Sequence, residues 1–138
     1  MYWCSHAIQH ETVLAISIRA VLGVSAGVIA VLILSAALIA FRKHQTTMNP
    51  LDPSQTNSIV TLGIYGYTRN PMYVSMFIGL LGWGVFLGQL SATLGLALYV
   101  VAITRLQIIP EERILADKFR DQYMHYCEST GRWSNLVR

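Results

Sequence analysis

Two short polar motifs carry the groups in this chain that could do chemistry. The first is Thr68-Arg69-Asn70-Pro71-Met72-Tyr73, with Tyr65 and Tyr67 just before it. The second is Pro110-Glu111-Glu112-Arg113, with Arg105 and Gln107 ahead of it. A guanidinium such as that of Arg69 recognises a carboxylate or phosphate through charge-assisted hydrogen bonds, and adjacent carboxylates recognise a cation or hydroxyl groups. A single Arg69 or Arg113 at a membrane boundary also serves as an interfacial anchor, and Arg105 as a snorkelling side chain. Glu111 and Glu112 resist that explanation, because acidic residues contribute little to membrane orientation. Two carboxylates side by side near an anionic leaflet call for something cationic. Arg105, Arg113 or a cationic ligand can supply it.

The elements between the motifs must bring them together. Residues 70–104 contain no Asp, Glu, Lys or Arg. Such a stretch is too long for one short crossing of a hydrocarbon core about 30 Å thick and suits two. We expect helices over 72–87 and 91–106 with a turn at Gly88-Gln89-Leu90-Ser91; one long kinked helix is the alternative. Pro71 suits the first turn of the first helix, where its missing N–H costs nothing. An even number of crossings returns Glu111 and Glu112 to the surface that Arg69 left.

Upstream, residues 20–41 carry no charge, about 33 Å of helix and enough for a full crossing. This span is expected to extend back to Val13. Its small residues Gly23, Ser25, Ala26, Gly27 and Ala30 permit close helix approach. A polar loop rich in helix breakers runs from Gln45 to Thr61. Pro110 is expected to interrupt the chain and redirect it. Beyond it, Ile114, Leu115, Phe119, Tyr123 and Tyr126 recur near helical spacing against charged neighbours. This is the pattern of an amphipathic interfacial helix over 111–128, with Trp133 as an anchor.

Composition supports a membrane class. The chain has 138 residues, 54% hydrophobic and only 12% charged, about half the charge of a soluble domain. The formal charge of +3 does not imply nucleic acid, since no basic patch is interleaved with aromatics. Every Lys and Arg except Arg19 follows the first uncharged run. The positive-inside rule therefore places 42–69 and 105–138 in the cytoplasm and the N-terminus outside. The expected fold is a single all-α integral membrane domain over 1–138, with three transmembrane helices (one span plus a helical hairpin) and a cytoplasmic interfacial C-terminal helix. No basic n-region precedes the first run, so no cleaved signal is expected. Cys4 and Cys127 fall on opposite sides and are not expected to pair. Cys4, His6 and His10 have spacings that could suit a metal, but no fourth ligand is apparent and none is expected.

The stretch Leu62 to Tyr73 resembles the signature of the isoprenylcysteine carboxyl methyltransferase and phospholipid methyltransferase superfamily. The pattern continues through Gly82-Trp83-Gly84, Pro110-Glu111-Glu112-Arg113, Phe119, Tyr123, Tyr126 and Arg132-Trp133. Thr46 to Pro50 resembles the variant of short bacterial members, and the likeness covers roughly 40–134. The resemblance implies an integral membrane enzyme of the bacterial inner membrane that holds S-adenosylmethionine at the cytoplasmic face. It implies methyl transfer to a lipophilic or membrane-proximal acceptor, most like an isoprenylcysteine carboxylate. A phospholipid amine, a small thiol, or a non-catalytic membrane subunit retaining the fold are the alternatives.

Carried over by motif, Tyr65, Arg69, Asn70, Pro71, Tyr73, Glu111 and Glu112 become cofactor-binding residues. Gly82 and Gly84 join them as sites of close approach. Arg105 and Glu112 are the candidate catalytic residues, Arg105 for an acceptor carboxylate or phosphate. Membrane lipids and the acceptor are the expected partners, with a homodimer through the first span. The chain departs from the family pattern at four places. Gly66 stands where an arginine is common, and Phe119-Arg120 replaces the usual Phe-Gly. Ser129-Thr130-Gly131 precedes Arg132 where valine and another basic residue are common. Only one span precedes the Arg-Asn-Pro motif.

Overall fold

The computed structural model describes residues 2–43 and 59–135, with the side chains of the first helix described from Leu14 onward. Among the described residues every regular element is helical. Helix α1 spans Tyr2–Lys43, a 3-10 turn spans Gly63–Gly66, and α2 spans Pro71–Leu87. Helix α3 spans Ser91–Ile103 and α4 spans Ile109–Ser129. The Thr46–Pro50 resemblance, most of the polar loop, and the side chains of Cys4, His6 and His10 lie outside the described residues.

Helices α1 and α2 run antiparallel in close contact. Arg19 lies against Gly88, Gly23 against Gly82 and Phe86, and Ala30 against Gly79. The approach depends on missing side chains. A Cβ on Gly82 would lie 2.6 Å from the Cβ of Ala26 and 3.0 Å from the carbonyl oxygen of Gly23. Much of the small-residue face that the sequence offered to a second copy therefore lies against α2 within the chain. Gly27 alone of these glycines faces open space, with nothing within 4 Å of a Cβ built there.

Gly88 ends α2 at φ 65, its N–H reaching the carbonyl oxygens of Gly84 at 3.0 Å and Val85 at 3.1 Å. That left-handed cap favours glycine. The guanidinium of Arg19 rests on it, at the helix end where carbonyls favour a cation. Gly84 admits α3: a Cβ there would meet the Cβ of Ala92 at 2.8 Å.

Pro110 does not redirect the chain, contrary to expectation. Helix α3 passes into α4 through a π-helical turn, Thr104–Ile108, in which the N–H of Ile109 bonds to the carbonyl of Thr104. Proline lacks the N–H that would continue an α ladder. The wide turn just before it shifts the hydrogen-bond register where that bond is lost. The break in α4 comes later, at Arg120, whose φ of 42 and ψ of −116 are not helical. Glycine adopts that backbone region readily and side-chain-bearing residues do not. It is the position where the resembled pattern carries glycine.

Two helical stretches, Leu14–Lys43 and Ser91–Ser129, are long and apolar enough to cross a membrane, and Pro71–Leu87 is a shorter apolar helix. Their outer faces leave Leu14, Val21, Val24, Trp83, Leu94 and Leu98 exposed. So extended an apolar surface is a liability in water and ordinary in lipid. The chain reads as a membrane protein. Its buried core sits at one end, where Ala37, Val60, Tyr65, Tyr123 and Tyr126 cluster, flanked by Phe41, Met72, Leu115 and Phe119.

Candidate active site

That end also holds both polar motifs. Gly63, at φ 67, opens the 3-10 turn, and the N–H of Tyr67 closes it on the carbonyl of Ile64 at 3.1 Å. Tyr65 points into the core: its ring meets Phe41 edge-on at 5.3 Å, and its carbonyl accepts the Tyr126 hydroxyl at 2.7 Å. Thr68 then turns the chain by accepting the Asn70 N–H at 3.1 Å. Pro71, fully buried, opens α2. The motif residues are thus fixed on short, locally bonded backbone at the foot of α2.

Helix α4 brings the carboxylates to them. Arg69 Nη1 lies 3.1 Å from Glu112 Oε1. The same nitrogen reaches Cys127 Sγ at 2.7 Å and the Tyr123 hydroxyl at 3.4 Å. Arg132, from the segment after α4, holds Glu112 from its other side: Nε donates to Oε1 at 3.0 Å and Nη2 to Oε2 at 2.6 Å. This two-point geometry is the strong form of the arginine–carboxylate bond. Two guanidiniums around one carboxylate leave this cluster net positive.

Glu111 has a different environment. Its Oε1 accepts the Tyr73 hydroxyl at 2.9 Å and Gln107 Nε2 at 2.8 Å, both neutral donors. Tyr73 is held in turn by Tyr99, whose hydroxyl donates to its carbonyl at 3.1 Å. Burial pushes the Glu111 carboxyl above its ordinary range, and the neighbouring Glu112 charge adds to this. The hydrogen bonds from Gln107 and Tyr73 oppose it. Burial also raises the phenols of Tyr65, Tyr123 and Tyr126, so all three remain neutral hydrogen-bonding groups.

Among the described residues, two buried side-chain polar atoms have no partner: Arg69 Nε and Thr104 Oγ1. An unsatisfied buried donor costs free energy of about 1–3 kcal/mol, so the Arg69 atom marks a place where an acceptor would be gained. Asn70 bonds the chain rather than opening outward, its Nδ2 donating to the carbonyl of Arg132 at 3.1 Å.

The structure therefore gathers Arg69, Asn70, Pro71, Tyr73, Glu111 and Glu112, with Tyr65 beneath them. It does not gather the remaining three candidates. Arg105 is exposed on the π turn, outside the bonded cluster. Gly82 and Gly84 lie about three helical turns along α2 from Pro71, and what approaches them is helix. Tyr123, Cys127, Arg132 and Gln107 complete the cluster. The aromatic spacing and the Arg132-Trp133 pair signalled α4 and its tail, but nothing in the sequence marked Cys127, a free thiol, as a partner of Arg69.

A model of the phospholipid methyltransferase family matches residues 18–122, which include Arg69, Glu111 and Glu112. The chain belongs to the phospholipid methyltransferase family. The matched region stops just short of Tyr123, so Cys127 and Arg132 stand outside it.

Similar proteins include an uncharacterized protein of Haemophilus influenzae, 39% identical over 62 residues, which are 45% of this chain and 98% of that protein. The protein-S-isoprenylcysteine O-methyltransferase of Schizosaccharomyces pombe is 40% identical over 68 residues, 49% of this chain and 29% of that protein. The cobalt-zinc-cadmium resistance protein CzcN of Cupriavidus metallidurans is 34% identical over 76 residues, 55% and 35% of the two chains. The matches thus span about a third of these two larger relatives. No solved structure matches the chain.

Proposed function

We propose that this protein is an S-adenosylmethionine-dependent methyltransferase acting on a lipophilic or membrane-proximal acceptor, most like an isoprenylcysteine carboxylate. The observation that carries the reading is the convergence of Arg69 with Glu112, and of Tyr73 with Glu111, at one end of an apolar helical stem. Family membership and the likeness to a protein-S-isoprenylcysteine O-methyltransferase support it. In this reading α1, α2 and α3 are the three spans. The positive-inside bias of Lys and Arg supports a cytoplasmic face for the site, and the resemblance to short bacterial members supports a bacterial inner membrane.

The residues suit the cofactor's chemistry. Arg69, with Nε unpartnered, can take its carboxylate. Glu111 and Glu112 can take its ammonium and ribose hydroxyls by charge-assisted bonds. When bound, S-adenosylmethionine supplies an electrophilic methyl group on a sulfonium. The chain's part in an in-line displacement is to position the two reactants and keep water out. The Tyr73–Glu111–Gln107 bonds fix one carboxylate, and the arginine pair fixes the other. Arg105 stands nearer the apolar stem, on the π turn, where it can meet an acceptor's carboxylate or phosphate.

One observation favours a second acceptor class. A carboxylate or thiolate attacks without losing a proton, whereas an ammonium must lose one. Glu111, bonded by the neutral donors Tyr73 and Gln107 and raised by burial, is suited to accept that proton. It therefore favours a phospholipid amine.

Cofactor binding by purified protein in detergent tests the reading, followed by transfer of labelled methyl to a native membrane extract. Wild type should bind, and Glu112→Gln should weaken binding about ten-fold or more, the loss of a charge-assisted bond worth about 1.5–3 kcal/mol. Label released by mild base would mark an ester and so a carboxylate acceptor. Base-stable label in the lipid fraction would mark amine or carbon chemistry. Absence of cofactor binding by wild type would leave a membrane subunit that keeps the fold without the activity.

A further inference from the structure

The segment after α4 is tied to the Arg-Asn-Pro motif by its backbone. The Arg69 N–H donates to the Gly131 carbonyl at 3.0 Å. The Arg132 carbonyl accepts both Thr68 Oγ1 at 3.0 Å and Asn70 Nδ2 at 3.1 Å. Asn135 closes the loop, accepting from the Gly131 N–H at 2.7 Å and donating to the Gly66 carbonyl at 3.0 Å. The backbone at Arg132 is therefore a fixed pivot. Its side chain is not fixed in the same way: it spans to Glu112 and stays 38% exposed, against 15% for Glu112 and 13% for Arg69. Of the three charged groups, Arg132 is the one that can exchange its partner for water at least cost.

We propose that Arg132 is a side-chain latch: in the free protein its guanidinium occupies Glu112, and it yields that carboxylate to a cation of the incoming cofactor. The inference rests on the reading that Glu112 receives such a cation. Its physical basis is single occupancy. Arg132 engages both oxygens of Glu112, at 3.0 and 2.6 Å, while Arg69 shares Oε1 at 3.1 Å. Three guanidinium nitrogens then face a carboxylate with about four lone-pair sites, and a cation reaching the remaining one would lie against two arginines, so ligand and latch compete. Removing Arg69 from the contact instead would strand a mostly buried guanidinium, which is the costlier exchange. Apparent affinity for a ligand that needs the open state falls in proportion to the open fraction. The latch therefore sets the concentration of cofactor at which the site fills, and it leaves binding of nucleosides that carry no cation unchanged.

Cofactor binding in detergent by wild type, Arg132→Gln and Arg132→Lys tests this, with 5′-methylthioadenosine as a competitor that lacks the ammonium, sulfonium and carboxylate. Arg132→Gln should bind S-adenosylmethionine about five-fold more tightly, by raising the open fraction, and bind the uncharged competitor as wild type does. Arg132→Lys, with a one-point ammonium, should fall between and guards against loss of fold in the glutamine variant. Weakened binding of both ligands would make Arg132 a fixed wall of the site and overturn the latch. So would equal tightening of both, or no change in either. If no variant binds, the cofactor reading fails and the latch with it.

Discussion

The stem and the polar end of this molecule are held together in opposite ways. In the stem, α1, α2 and α3 touch where side chains are missing: Gly82 on Gly23 and Ala26, Gly84 on Ala92. At the polar end the contacts are made by side chains reaching across: Arg69 to Glu112, Tyr73 to Glu111, Arg132 back to Glu112. Lipid explains the difference. Apolar surface gains little by leaving lipid for another helix, so close backbone packing must supply the stem's cohesion. Where the chain meets water and headgroups, charge and hydrogen bonding become selective, and a handful of residues fixes the geometry.

Removing one charge should damage the polar end more than anything else. Glu112→Ala leaves Arg69 and Arg132 facing each other without a carboxylate, and is expected to destabilise by about 3–5 kcal/mol, the cost of breaking a mostly buried ion pair. Thermal unfolding in detergent measures it; a variant as stable as wild type would mean the triad does not hold this end. Adding volume is the matching insult to the stem. Gly82→Val should cost about 2 kcal/mol or more through overpacking against Ala26 and the Gly23 backbone. Gly27→Ala, facing nothing within 4 Å, should be neutral or slightly stabilising, because alanine is the better helix former by up to about 1 kcal/mol. Equal effects at the two glycines would erase the distinction between packed and lipid-facing faces.

The two regions also differed in how plainly the sequence spoke. Absence of charge marked the apolar stretches, and the all-helical character followed from them. The convergence of Arg69 with Glu112 was legible because an uncharged stretch of that length implies a return to one surface. The glycines were ambiguous in principle, since a missing side chain admits a ligand or a helix equally well. Only the 2.6 Å and 2.8 Å approaches decide for helix. The contacts of Cys127 and Arg132 were invisible because they depend on how α4 turns at Arg120 and how the tail after it folds back, which neither spacing nor hydropathy encodes. Pro110 misled because a proline can be absorbed by a π turn as well as by a break, and both look alike in sequence.

Arg120 offers a smaller and opposite effect. It holds a backbone conformation that glycine adopts without strain, at a cost of about 1–3 kcal/mol for a side-chain-bearing residue. Arg120→Gly loses some of this gain to the unfolded chain's added freedom, so a net stabilisation of about 1 kcal/mol is expected. Arg120→Ala keeps the Cβ and should not reproduce it. If alanine stabilises as well, the guanidinium and not the backbone is the source of strain.

Glu111 and Glu112 carry the comparison down to neighbouring residues. Glu112 is balanced by two cations, whereas Glu111 is buried among neutral donors. Burial raises the Glu111 carboxyl above its ordinary value of 4.5 in the folded chain, so the folded state favours the protonated form. The resulting stability is fully present below 4.5 and lost as pH rises through the raised value. Glu111→Gln, neutral at every pH and able to accept the same bonds through its amide oxygen, escapes that loss. Its melting temperature should match wild type in acid and rise slightly above it toward neutral pH. A gap that widens the other way would mean that Tyr73 and Gln107 hold the Glu111 anion more strongly than burial opposes it, and Glu111 would then be a ligand for a cation rather than an acceptor of a proton.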